Sequence, residues 1–184
     1  MQLPQICCGS CKEAHVRKCF ILLGVSTFCV LLAGVAFAQH DVKKYPSCQH
    51  CGMNREAFAY SRMLIEYTDG TAVGTCSIRC AAVDLALNRG KTLKAIMVGD
   101  YNSKALIDAR KAIWVIGGKK TGVMTERAKW AFGQETDAER FIAENGGKIA
   151  SYDVAMKAAY KDLDVDTKKM IREKKKSGKM EHKQ

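Results

Sequence analysis

Four cysteines place the tightest constraint on how this chain can fold. Cys48 and Cys51 form a Cys-x2-Cys pair, twenty-four residues follow, and Cys76 and Cys80 then form a Cys-x3-Cys pair. Between the pairs, "RMLIEY" and "TAVGTC" read as two strands joined at Asp69-Gly70, whose residues tolerate the positive φ of a tight hairpin turn. Such a hairpin folds the second pair back toward the first. A helix follows, with Ile78, Ala81, Ala82 and Leu85 at i, i+3, i+4 and i+7 and Gly90 closing it. Cys80 then falls in the helix's first turn, where unpaired N–H groups and the helix dipole favour a thiolate. Gly52, directly after Cys51, eases the φ that a metal-binding loop requires. Four thiolates converging in a tetrahedron make a closed zinc site. The spacing says that the two pairs share something, and leaves open which metal.

Upstream, Phe20 to Ala38 carries no charge, follows Arg17 and Lys18, and ends in the small-x-small pattern Ala36-Phe37-Ala38. This is the pattern of a secretory leader. The run also approaches the ~20 apolar residues that span a bilayer. Residues 1–38 are therefore expected to be a signal peptide or membrane anchor, placing the rest in the periplasm or otherwise outside the cytoplasm. "LLAGV" at Leu31–Val35 has valine where a lipidated cysteine would stand. The leader holds Cys7, Cys8, Cys11, Cys19 and Cys29, and the exported part keeps the four already described. An even number of exported cysteines usually means disulfides. Two closely spaced pairs suit a shared ligand set better, but Cys76 and Cys80 as ligands or as a disulfide both stay open.

The net charge of +11 sits mostly at the ends: +2 in residues 1–38, +6 in 168–184 and only +3 between. No basic stripe interleaved with aromatics is present, which excludes a nucleic-acid binder. The basic tail, 161–184, reads as a solvated or fraying end. Attraction to anionic lipid headgroups is its functional alternative, so membrane association could run through an uncleaved leader or through this tail.

"QHDVKKYPS" reads as a polar linker, and "LKAIMVGDY" as a third strand after the helix. The order repeats further on. "ALIDA" and "AIWVIGG" read as short strands, and a loop runs from Gly117 to about Lys129. A helix follows with a Thr136–Glu139 capping box and a Gly146 stop, then the brief strand "KIA" and a helix over Ser151–Tyr160. The fold class expected is α+β: two small tandem ββαβ units, 39–100 and 101–160, packed together because each alone buries too little surface.

Methionine bears on the choice of metal. Met53 lies two residues past Cys51, and Met124 lies in the loop "KKTGVMTERAKW". Thioethers bind zinc poorly, whereas Cu(I) accepts thiolate and thioether together. Met53 suits packing as well as ligation; Met124, in a loop, has less core to fill. Met63 and Met97 fall in strands and read as core, and His50 reads as exposed.

Several motifs occur in order: "CGM" at Cys51–Met53, "AIMVGDY" at Ala95–Tyr101, "LIDARKAIWVIGG" at Leu106–Gly118, "VM" at Val123–Met124, and "AF" with "FIAENGG" between Ala131 and Gly147. Together, from about Tyr45 to Tyr160, they resemble NosL, the nitrous oxide reductase accessory protein family. The resemblance implies two homologous ββαβ units and a periplasmic Cu(I) carrier that helps supply nitrous oxide reductase with copper. It also implies Cys51 and Met124 as copper ligands. Many members lack the extra thiols that this chain carries at Cys48, Cys76 and Cys80. "CQHCGM" followed by "TCSIRC" is similar to treble-clef metal modules of the TRASH and YHS type.

The full metal-ligand expectation is thus Cys48, Cys51, Met53, Cys76, Cys80 and Met124. A Cu(I) metallochaperone delivering to a copper-accepting enzyme is the leading function, and an exported binding module with a structural four-cysteine zinc site is the alternative. A thiol–disulfide oxidoreductase fits less well, because the residues after Cys51 lack the βαβ setting of a redox Cys-x2-Cys. No Ser-His-Asp set, paired catalytic carboxylates or phosphate loop stands out, so no enzyme is expected.

Overall fold

The computed structural model of the chain describes residues 40–181. The expected leader and its five cysteines lie outside them. Among the described residues no helix is long and apolar enough to cross a membrane.

The described residues begin with a short helix, α1 (His40–Lys44), where a polar linker was expected. The linker reading fails because Asp41 and Val42 are buried: two arginines of the body grip the Asp41 carboxylate. Next come β1 (Met63–Tyr67) and β2 (Ala72–Thr75), joined through the Asp69-Gly70 turn. Gly70 takes φ 84°, and the Asp69 carboxylate accepts the Thr71 amide and hydroxyl at 2.9 and 2.6 Å. Helix α2 (Ile78–Leu87) and β3 (Leu93–Gly99) follow. The helix stops short of Gly90, where the Asn88 side chain and amide take up the Asp84 carbonyl.

Leu106–Asp108, expected to open the second unit, is instead β4, the fourth strand of the first sheet. The cause is a turn at Asp100, whose carboxylate accepts the Asn102 and Ser103 amides and the Ser103 hydroxyl. That turn reverses the chain onto β3. The first sheet is therefore antiparallel in the order β2-β1-β3-β4.

The second unit is β5 (Ile113–Ile116), β6 (Lys129–Phe132), α3 (Glu135–Asn145) and β7 (Lys148–Ala150), again ββαβ, with sheet order β6-β5-β7. The expected Thr136–Glu139 capping box does not form. Gln134 is the N-cap, without a side-chain cap bond, so Thr136 lies inside the first turn. Glu135 and Asp137 there oppose the positive end of the helix dipole. The Gly146 stop holds, at φ 73°.

Helix α4 (Tyr152–Glu181) does not end at Tyr160 as expected. The sequence beyond contains no glycine before Gly178 and no proline, and an Asp164–Lys168 pair at i, i+4 supports the continuing helix.

The fold is thus α+β with two small sheets. Strand alternation sorts the side chains into two cores. Met63, Ile65 and Tyr67 of β1 join Ile78, Ala81 and Ala82 of α2, and Trp114 and Ala131 of the second sheet join them beneath Ala155, Met156 and Ala159 of α4. The alternate residues, Val115, Trp130 and Phe132, face the other way. They meet Phe141 of α3 together with Cys48, Cys76 and Cys80 of the first unit. Each large apolar side chain withdrawn from water contributes roughly 1.5–3 kcal/mol. The second sheet is thereby the floor on which the cysteine segment rests.

Candidate metal centre

The Cys48–Met53 segment is a knuckle. The Cys48 amide donates to the Met53 carbonyl at 2.8 Å and the Gly52 amide to the Cys48 carbonyl at 2.9 Å. Gly52 takes φ 76°, a conformation that suits glycine and strains other residues. The Gln49 amide reaches the Gly74 carbonyl at 3.1 Å, tying the knuckle to β2. A Cβ on Gly74 would sit 2.7 Å from the Arg55 guanidinium and from Tyr45 Cβ, so only glycine fits there. The second pair lies where the sequence placed it, with Cys76 just before the N-cap Ser77 and Cys80 third in α2.

The four Sγ atoms all lie within 4.8 Å of one another. Cys51 is 3.5 Å from Cys76, Cys76 is 3.7 Å from Cys80, and Cys80 is 3.7 Å from Cys51. All four are free thiols, so the Cys76–Cys80 disulfide alternative is not what the structure holds. A tetrahedron of sulfurs around an ion at ~2.3 Å has edges of about 3.8 Å. Three sulfurs around a planar trigonal ion at the same bond length need about 4.0 Å. The three measured edges suit a small ion in either geometry after a slight spread, and lie nearer the tetrahedral value. Cys48, Cys76 and Cys80 are buried at 3, 0 and 0 % exposure, whereas Cys51 is half-buried. Cys51 is therefore the least buried member of the cage.

Met53 and Met124 are half-buried and pack against the same cluster as the cysteines. Met124 has φ 60°, left-handed backbone that non-glycine residues adopt at a cost. Met63 is fully buried in the other core, as expected, and Met97 is half-buried on β3.

Crowding governs the charge of the site. Hydrogen bonds from the Cys76 and Cys80 thiols push the Cys48 thiol down, against burial, and the His50 and Cys76 backbone groups help. The same contact with Cys48 pushes Cys76 and Cys80 up, and burial adds to it. One stabilised thiolate amid reluctant thiols means that a cation must expel protons as it enters.

Two supporting networks escaped the sequence reading. The fully buried Arg55 donates to Thr75 O, next to Cys76, and to Tyr45 O, Met63 O and the Asp41 carboxylate. Arg62 grips both Asp41 oxygens at 2.9 Å. The other network starts at His50, which is half-buried rather than exposed as expected. Its Nε2 lies 3.0 Å from Asp84 Oδ1, while the Tyr67 hydroxyl donates to Asp84 Oδ2 at 2.5 Å. His50 is thus tied to α2 from inside the Cys48–Cys51 loop. The one signal the sequence offers is Asp84 itself, the single acidic residue of α2.

Fold and site together define a small α+β protein with a cluster of soft, metal-ligating sulfurs. The NosL family model matches residues 39–160, and the chain belongs to that family. Among solved structures the chain is similar to the crystal structure of the copper chaperone NosL from Shewanella denitrificans. The identity is 26%, over 58% of this chain and 87% of that chain, with a TM-score of 0.47. No curated protein matches.

Proposed function

We propose that this protein is an exported, non-enzymatic Cu(I) carrier that hands its ion to a copper-accepting enzyme, nitrous oxide reductase being the acceptor expected for the family. The observation that carries this reading is the cage with one open edge: three buried sulfurs, a half-buried Cys51, and two thioethers against the same cluster. A carrier needs soft ligands that hold the ion and an accessible face at which an acceptor's ligand can attack. The proposed ligands are Cys48, Cys51, Cys76 and Cys80, with Met53 and Met124 as thioether donors for a monovalent ion.

One observation favours a second reading. The three edges of the Cys51–Cys76–Cys80 face, 3.5–3.7 Å, lie closer to those of a four-thiolate zinc site than of a trigonal cuprous one. On that reading zinc is a structural clip.

Anaerobic titration with Cu(I) against a chromophoric chelator tests the carrier. One ion binds per chain, and Cys51→Ser weakens binding sharply. Binding by Cys51→Ser equal to that of the parent contradicts the ligand assignment. Metal analysis of protein isolated without added metal tests the clip. Stoichiometric zinc that survives dialysis, with collapse of the fold on chelation, supports zinc over copper.

A further inference from the structure

The loop that carries Met124 is held from outside. Residues 117–128 join β5 to β6, and within them Met124 sits in left-handed backbone at φ 60°. A strained non-glycine conformation persists only where its surroundings impose it. The loop's own contribution is modest: Thr125 Oγ1 donates to Arg127 O at 3.4 Å, and the Gly117 amide to Ala128 O at 2.8 Å. The stronger contacts come from α4. Asp162 takes two hydrogen bonds from the Arg127 guanidinium, at 2.9 and 2.7 Å, and one from Lys129 Nζ at 2.8 Å. Lys129, its side chain 1 % exposed, also donates to Arg127 O at 2.8 Å and to Thr125 Oγ1 at 3.5 Å. Its ammonium group therefore joins the loop backbone to the helix carboxylate. One turn on, the buried Asp166 accepts the Glu126 amide at 3.2 Å. The Thr167 hydroxyl accepts from Arg79, the neighbour of Cys80, at 2.9 Å.

Asp162, Asp166 and Thr167 all lie past residue 160, where the family match ends. Three side chains of this extension thus hold two of the three segments that carry proposed ligands: the Met124 loop and the start of α2. We infer that residues 161–167 form a strap, with Asp162 its principal positioning residue, that keeps Met124 against the buried cluster to which Cys48, Cys76 and Cys80 belong. This rests on the carrier reading for its purpose, though not for its mechanics. The strap sets how firmly Met124 is offered to the ion, and so how readily the ion leaves.

The test uses the full-length protein. In the metal-free form, dilute hydrogen peroxide oxidises methionine to the sulfoxide according to exposure, and Met124 is followed by peptide mass spectrometry with Met53 as internal reference. Asp162→Asn and Arg127→Gln both release the loop and raise Met124 oxidation relative to Met53 by about 5-fold or more, while Asp162→Glu stays near the parent. In the Cu(I) competition, Asp162→Asn loosens binding about 10-fold, as loss of an outer-sphere support does. Combining it with Met124→Leu adds nothing further, because both act through one thioether. Met124 oxidation unchanged in Asp162→Asn and Arg127→Gln overturns the strap whatever the copper result. Additive losses in the double variant overturn the positioning role. If Met124→Leu alone leaves Cu(I) affinity untouched, Met124 falls as a ligand, while the oxidation rates still decide whether the strap exists.

Discussion

The two ββαβ units follow one plan and use it differently. In each, a two-residue junction leads from the second strand into the helix: Cys76-Ser77 in the first, Gly133-Gln134 in the second. Cys80, third in α2, corresponds to Asp137, third in α3. Where the first unit places sulfur, the second places backbone, and the Gly133 amide donates to Asp100 of the first unit at 2.8 Å. The hairpins diverge in the opposite sense. The first closes in a four-residue turn, 68–71, and the second opens into a twelve-residue loop, 117–128, that carries Met124. One unit carries the four thiols, on the knuckle and the junction. The other carries an apolar floor and a thioether on a long loop. On the proposed reading the first unit grips the ion and the second supports it.

The sharpest way to break this contrast is to remove what fixes each half. Arg55, its side chain 0 % exposed, donates to the Thr75, Tyr45 and Met63 carbonyls as well as to Asp41, so removing it strands those acceptors even though Arg62 still pairs the carboxylate. With acceptors left unpaired at about 1–3 kcal/mol each, Arg55→Met is expected to cost about 3–5 kcal/mol of stability in chemical denaturation. Arg127→Gln, breaking a half-exposed pair in the second half, is expected to cost only about 0–1 kcal/mol. Asp41 adds a pH signature. Burial would raise its carboxyl, but the hydrogen bonds and charges of Arg62 and Arg55 hold it below the ordinary carboxylate range. Its contribution is therefore complete above an unfolded pKa of ~3.9 and is lost as pH falls through the lower folded value. Melting scans below pH 4 show this loss in the parent and not in Asp41→Asn.

Next in size is the sulfur at the first junction. Zinc held by four ligands gains about 10–16 kcal/mol, so one thiolate is worth roughly 3 kcal/mol. Cys76→Ser is thus expected to weaken metal binding by about 100-fold. Its counterpart Gly133→Ala should leave binding unchanged, since the added Cβ meets nothing nearer than 3.7 Å. Met124→Leu comes third: about 10-fold for Cu(I) and no change for zinc, because only the soft monovalent ion uses a thioether. The tight turn bears on stability alone. Gly70→Ala at φ 84° costs about 1–2 kcal/mol of stability and leaves metal binding intact.

Periodicity and turn chemistry made the first unit legible. The Asp69-Gly70 turn, the alternation of β1 and the helix after Cys76 depend on neighbours in sequence, and the cysteine spacing followed from them. The second unit was harder, because "LID" carries no mark of which sheet it joins. That choice is made by the Asp100 turn and the pairing of Ile107 with Val98. "KWAF" is buried on both faces, so it lacks the alternation that identifies a half-exposed strand. The polar supports were illegible for a related reason. Arg55, Asp41, Asp84 and Asp162 resemble surface charges until the fold buries or pairs them, and the pairs Arg55–Asp41, His50–Asp84 and Arg127–Asp162 join residues 14 to 35 apart. The continuation of α4 could be read from its composition, but not that Asp166 turns inward.

The central claim is that the gathered thiols hold copper as cargo. Copper K-edge X-ray absorption on the anaerobic one-to-one Cu(I) protein tests it directly. The account predicts that copper is surrounded by sulfur alone, at least three atoms at about 2.3 Å, losing one sulfur in Cys51→Ser. Copper bound by nitrogen and oxygen, with the four cysteines still occupied by zinc, would contradict it.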